Sequence, residues 1–194
     1  MHLSFGLVWK TALVTSMLVG SSYASGSKEK TPEEAASDSV KQSTAAYNNG
    51  VKRIDHAKKM GEKGDSTFSF NYRAVTDDKV RHEFEEAVKD LQKALALNPD
   101  FKEADNNLGY CYRKLGKLNE SLAAYDKAIA LDSNFAQARE YRGETYLALD
   151  RPVDAQHELA FLQAMKSPFA DQLAHSMDLY KLWEAKEDAT SPDK

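Results

Sequence analysis

The sequence predicts an all-α fold, a stack of paired helices forming an α-solenoid that a C-terminal helix closes. Three observations carry this expectation. Glycine and proline together number 9 + 5 = 14 of 194 residues, well below the usual share of about 12%, so turn formers are too scarce for a many-stranded β fold. Apolar side chains recur at spacings of three and four, the period of a helix face. A segment also repeats at an offset of 34: residues 93–101 read KALALNPDF and residues 127–135 read KAIALDSNF. Five of those nine positions are identical and three more are conservative exchanges. The same offset relates Ala104 to Ala138, Gly109 to Gly143, Tyr112 to Tyr146 and Leu115 to Leu149.

Composition bounds the function before any motif does. With 42% apolar and 29% charged residues the chain suits a folded body rather than a disordered one. A net charge of −4 argues against a general nucleic-acid binder, which normally shows a basic excess. One cysteine, Cys111, cannot close an internal disulfide.

Residues 1–24 stand apart from the rest. They hold no Asp or Glu and one basic side chain, Lys10, before the apolar stretch of residues 11–20. That stretch is shorter than the ~20 residues a membrane-spanning helix needs. A short positive region, an apolar core and the small-x-small site Ser22-Tyr23-Ala24 describe a secretory signal. Cleavage after Ala24 is expected, leaving 194 − 24 = 170 residues with a charge of 25 − 30 = −5. The alternative, an uncleaved anchor over residues 3–19, would place Lys10 near its middle at a cost of about 2.5–3.5 kcal/mol. An exported chain with a single cysteine reads as a protein of the bacterial periplasm, or a secreted one.

Residues 25–38 mix Ser, Lys, Glu and Thr with Pro32 and no large apolar side chain, so a flexible tether is expected there. Residues 39–101 read as an irregular first hairpin. Its first helix is assigned to residues 40–60, with Tyr47, Val51, Ile54 and Ala57 on one side. Its second helix is assigned to residues 78–97, with Phe84, Val88, Leu91 and Leu95 in register. The insertion between them, residues 61–77, alternates Phe68, Phe70 and Tyr72. It reads either as a loop pinned by its aromatics or as an extended edge that receives a partner.

Residues 102–135 form the regular unit. Ala104, Leu108, Tyr112 and Leu115 share one helical face, Gly116-Lys117 breaks the pattern, and Leu118, Leu122, Tyr125 and Ile129 mark a second helix. Gly109 and Ala128 are small where two helix axes must approach closely. Residues 136–167 repeat the arrangement, with Gln156 and Gln163 at positions that are apolar in the other units. Neither helix of a hairpin hides its stripe alone, so the hairpins must stack. Residues 168–186 hold Phe169, Leu173, Met177, Tyr180 and Trp183 in helical register. A capping helix over the exposed end is expected, with residues 187–194 as a tail.

These residues carry a family resemblance. Asp105-x-x-Leu108-Gly109-x-x-Tyr112, then Ser121-x-x-x-Tyr125 and Ala128, resembles a tetratricopeptide (TPR) repeat, and 34 is the length of that repeat. Ala87-x-x-x-Leu91 with Ala94 and Pro99, and Gly143-x-x-Tyr146 with Ala155-x-x-x-Leu159, are similar. The chain departs from the pattern at Asp105, where the family prefers an aromatic, and at Ser133, where it prefers Pro. The resemblance implies a right-handed α-solenoid of about three hairpins and a groove, lined by the first helix of each hairpin, that holds a peptide or protein. By matching positions that groove presents Glu103, Asn106, Tyr110, Arg113 and Lys114, then Gln137, Glu140, Glu144 and Leu147. Tyr110 and Arg113 offer large contact area and forked donors. Glu140 and Glu144 speak against the subtype of the family that holds a terminal carboxylate.

Catalytic constellations are not found. His157-Glu158 lacks the second histidine of a zinc-protease motif, and His56, His82 and His175 have no ligand spacing. Gly61-x-x-Gly64 lacks the Lys-Ser/Thr of a phosphate loop. Glu83, Glu85 and Glu86 suit the early turns of a helix, where the macrodipole favours acids. Cys111 reads as a packed thiol. The expected function is therefore a non-catalytic exported adaptor that binds another envelope protein or peptide without metal or cofactor. Two alternatives stand beside it: a structural homo-oligomer, and an enzyme with a site in the insertion.

Overall fold

In a computed structural model, residues 30–61 and 74–190 are described, with side chains to residue 186. Seven helices make up the fold of those residues: α1 (Pro32–Gly61), α2 (Asp78–Leu97), α3 (Lys102–Lys114), α4 (Leu118–Leu131), α5 (Ala136–Ala148), α6 (Pro152–Ala164) and α7 (Phe169–Thr190). The pairs α1–α2, α3–α4 and α5–α6 form three hairpins, which meet through α2 with α3 and α4 with α5. α3 also touches α1 and α5, so the first helices of successive hairpins lie side by side. The fold is an all-α solenoid of the TPR type. Tyr112 and Tyr146 take equivalent places on α3 and α5, as the 34-residue offset requires.

The periodic side chains form the core. Phe84, Leu91, Ala104, Leu108 and Cys111 are buried together across the first two hairpins. Tyr125, Ala128, Ile129 and Ala138 close the joint between the second and third. Leu147, Leu159, Leu162, Leu173 and Met177 fill the last. Close helix approach needs the glycines. A Cβ on Gly109 would lie 2.6 Å from the Tyr125 ring, and one on Gly143 2.6 Å from Leu173.

One turn recurs within the hairpins. Gly116 after α3 and Asp150 after α5 both adopt positive φ, at 75° and 59°. In each case two backbone bonds wrap the helix end: Lys117 N donates to the Tyr112 carbonyl at 2.8 Å, and Arg151 N to that of Tyr146 at 2.9 Å. This is the left-handed closure that satisfies last-turn carbonyls. The same closure appears after α6, where Lys166 has a φ of 54° and Ser167 N donates to Leu162 O at 3.0 Å. The joints after α2 and α4 differ, since Asn98 and Asp132 are extended there. The last helix is thus entered through a hairpin turn rather than a unit-to-unit joint. It packs on both α5 and α6, in keeping with a capping role, and extends to Thr190.

At the N-terminus the helix runs further than composition indicates. The expected tether reached residue 38, but α1 begins at Pro32. The Thr31 hydroxyl accepts from Glu34 N at 3.2 Å and the Glu34 carboxylate accepts from Thr31 N at 2.9 Å. That reciprocal cap starts the helix. Ser39 and Ser43 then anchor it, donating to Leu97 O at 3.0 Å and Ala94 O at 2.9 Å. A helix already held by packing propagates through polar residues at little cost. The secretory signal expected over residues 1–24, most of the aromatic insertion and residues 191–194 lie outside the described residues. Of the insertion, Val75 is buried and its N–H donates to Lys114 O at 2.8 Å, while Asp77 caps α2 by accepting from Lys79 N and Val80 N.

Candidate functional site

The face assigned to the groove is built by α3 and α5. Spacings of 3, 4 and 3 carry Glu103, Asn106, Tyr110 and Arg113 along one side of α3, and Gln137, Glu140, Glu144 and Leu147 along one side of α5. The neighbouring helices bring both rows together, and Asn106 Nδ2 faces Gln137 Oε1 at 3.5 Å.

An open row of polar side chains is not what results. Asn106, Tyr110, Arg113, Lys114, Glu140, Glu144 and Leu147 are buried, whereas Glu103 and Gln137 keep partial exposure. The centre is an ion pair between Arg113 Nη2 and Glu144 Oε2 at 2.8 Å, whose side chains are 1% and 2% exposed. Ser176 of α7 donates to the other Glu144 oxygen at 3.0 Å. The guanidinium lies 5.5 Å from the ring centres of both Tyr110 and Tyr141, which are themselves 5.5 Å apart. Lys58 of α1 sits 4.8 Å from the Tyr110 ring. One polar cluster therefore ties α1, α3, α5 and α7.

Burial sets the protonation of this cluster. It is the chief reason that the Glu140 carboxyl is pushed well above the usual range; the Glu144 carboxylate adds to the rise and Arg113 opposes it. Burial, then the Arg113 charge, brings Lys114 down to about 7. Burial also pushes the Tyr110 hydroxyl and the Cys111 thiol up, so Cys111 is a packed thiol and not a nucleophile. Asp105, where a large aromatic was the family expectation, is buried and raised to about 6 by burial, with Lys127 pulling the other way.

Three members of the cluster were not singled out from the sequence. Tyr141 follows Gln137 by four and precedes Glu144 by three, so helical spacing alone would have found it. Lys58 on α1 and Ser176 on α7 are remote from α3 and α5 along the chain, carry no motif, and reach the cluster only through the fold. Among the described residues no three His, Cys, Asp or Glu side chains gather to hold a metal ion. No helix among them is long and apolar enough to cross a membrane.

Comparison with known proteins agrees with this geometry. Residues 81–116 and 109–150 match the TPR repeat family, which places the match on α2 to α5 and the turns between them. Hsp70-Hsp90 organizing protein 3 of Arabidopsis thaliana is 27% identical over 100 residues, covering 48% of this chain and 18% of that protein. The chain thus spans under a fifth of that relative's length.

Proposed function

We propose, from the premise that residues 81–150 are TPR units, that this chain is a non-catalytic adaptor which holds a protein or peptide partner on the α3–α5 face. The observation that carries the reading is the side-by-side placement of those two helices with Glu103 and Gln137 at its accessible rim. The buried Arg113–Glu144 pair fixes the spacing of the rim, so the face meets its partner preformed. Export to the bacterial envelope, read from residues 1–24, makes the partner another envelope protein.

A photo-crosslinking residue placed at Gln137, at Glu103 or at the exposed Lys127 of α4 tests the face in cells. Adducts at residues 137 and 103 but not 127 are expected, and equal adducts at all three would refute the assignment. Mass measurement of the protein released by osmotic shock tests export, with Ser25 expected as the first residue. A chain that retains Met1 and stays in the cytoplasm would remove the envelope part of the reading and leave the face standing.

A further inference from the structure

Two carboxyls lie buried in the seam between α3 and α5, and they are not equivalent. Glu144 binds Arg113 at 2.8 Å and accepts from the Ser176 hydroxyl at 3.0 Å. Glu140 stands one turn earlier on the same row of α5. Contacts to α3 bracket it, Asn106 with Gln137 on one side and Arg113 with Glu144 on the other. It is 3% exposed, and its Oε2 is buried with no hydrogen-bond partner among the described residues. An ionised carboxylate at that place would be cut off from solvent, with no donor for that oxygen and a like charge one turn away. The closed seam therefore holds Glu140 in its neutral form.

The other groups around the seam do not offset this at acidic pH. α3 brings Arg113, which is permanently charged, and Lys114, whose ammonium burial and the Arg113 charge bring down to about 7. Burial holds the hydroxyls of Tyr110, of Tyr125 on α4 and of Tyr141 on α5 above the ordinary tyrosine range. α1 contributes Lys58 beside the Tyr110 ring. α7 meets Glu144 through Ser176, which carries no charge, and Glu158 of α6 is engaged by Arg139 and Arg142.

Hairpins of a solenoid touch only their neighbours, so the joint between two of them can open while each stays folded. Opening this joint takes Glu140 into water, where a carboxyl ionises above about pH 4.3. We propose that the α3–α5 seam is a proton latch, whose opening is coupled to release of the Glu140 proton, so that acid holds the third hairpin shut on the second and rising pH loosens it. The advantage of the closed state is complete below the open-state value and fades about tenfold for each pH unit above it. Lys114, which gains a proton on opening above about pH 7, then opposes the trend. The latch stands on the buried carboxyl, independently of what the face binds.

Hydrogen exchange of the α5 amides in the full chain, corrected for the intrinsic rate, reads the opening. Between about pH 5.5 and 6.5 their protection is expected to fall about tenfold, with no such fall in α2. Glu140→Gln, which puts a neutral group of the same shape into the seam, is expected to remove that dependence. Glu144→Gln should remove it by another route, since Glu140 then ionises beside Arg113 with the seam still closed. Protection of α5 that does not change with pH in the native chain overturns the proposal. A fall that persists in Glu140→Gln overturns it too, by assigning the proton to another group such as Asp105. Equal falls in α2 and α5 also overturn it, because the whole chain would then be opening and not the seam. None of these outcomes bears on crosslinking at Gln137.

Discussion

Replacing Glu144 by Gln probes the joint between the second and third hairpins directly. At 2.8 Å and an effective dielectric of ~20, the attraction between Arg113 and Glu144 is about 6 kcal/mol, set against a desolvation cost of several kcal/mol per ion. Removing one partner of such a pair normally costs about 3–5 kcal/mol. Here a second carboxyl stands one helical turn away. Glu140 is kept protonated by burial and by the Glu144 charge itself, so losing Glu144 lets Glu140 ionise and supply the missing charge. Glu144→Gln is therefore expected to cost only about 1–2 kcal/mol and Glu140→Gln less than 1. The double variant should cost about 3–5, an excess of roughly 2 kcal/mol over the sum. Urea unfolding followed by far-ultraviolet circular dichroism at pH 7 measures all three. Additive losses, or a single Glu144→Gln loss as large as that of the double variant, would refute the idea that the two carboxyls share one counter-charge.

Gly109→Ala brings a Cβ within 2.6 Å of the buried Tyr125 ring; overpacking of about 1–3 kcal/mol outweighs the ~1 kcal/mol gained in helix propensity, and a fall in Tm of a few degrees is expected by calorimetry. A higher Tm would show that the ring yields freely. Asp105 has a folded pKa of about 6, above its unfolded value of about 3.9, so the stability it contributes is complete below pH 4 and lost as pH rises to 6. Asp105→Asn should accordingly raise the urea midpoint at pH 8 and leave it unchanged at pH 4. Asp77→Ala removes two bonds at the start of α2, to Lys79 N at 2.8 Å and Val80 N at 3.0 Å. A loss of about 1 kcal/mol is expected, with faster amide exchange confined to the first turn of α2.

Much of the fold was legible because its information is local. The 34-residue offset and the stripes of α3, α4 and α7 require only that residues three and four apart share a face, and Leu108, Tyr125, Leu173 and Tyr180 are buried as that rule demands. The helical start at Pro32 was hidden because composition weighs side chains, whereas Thr31 and Glu34 act on backbone groups at the helix end. Of the candidate site, the membership of the two rows was legible and their exposure was not. A polar stripe reads as a wet face until a neighbouring element removes the water, and nothing in the spacing of Arg113 announces Glu144, 31 residues on.

The sequence by itself determined three hairpins, their order and the helix that ends them, since helical period and repeat length act within a few turns of chain. Only the tertiary structure decided that Arg113, Glu140 and Glu144 lie inside, that Ser176 donates to Glu144, and that Trp183 and Asp150 border one cavity. Burial and charge pairing depend on which helices come to lie against each other, and that follows from how the stacked hairpins meet across the whole molecule.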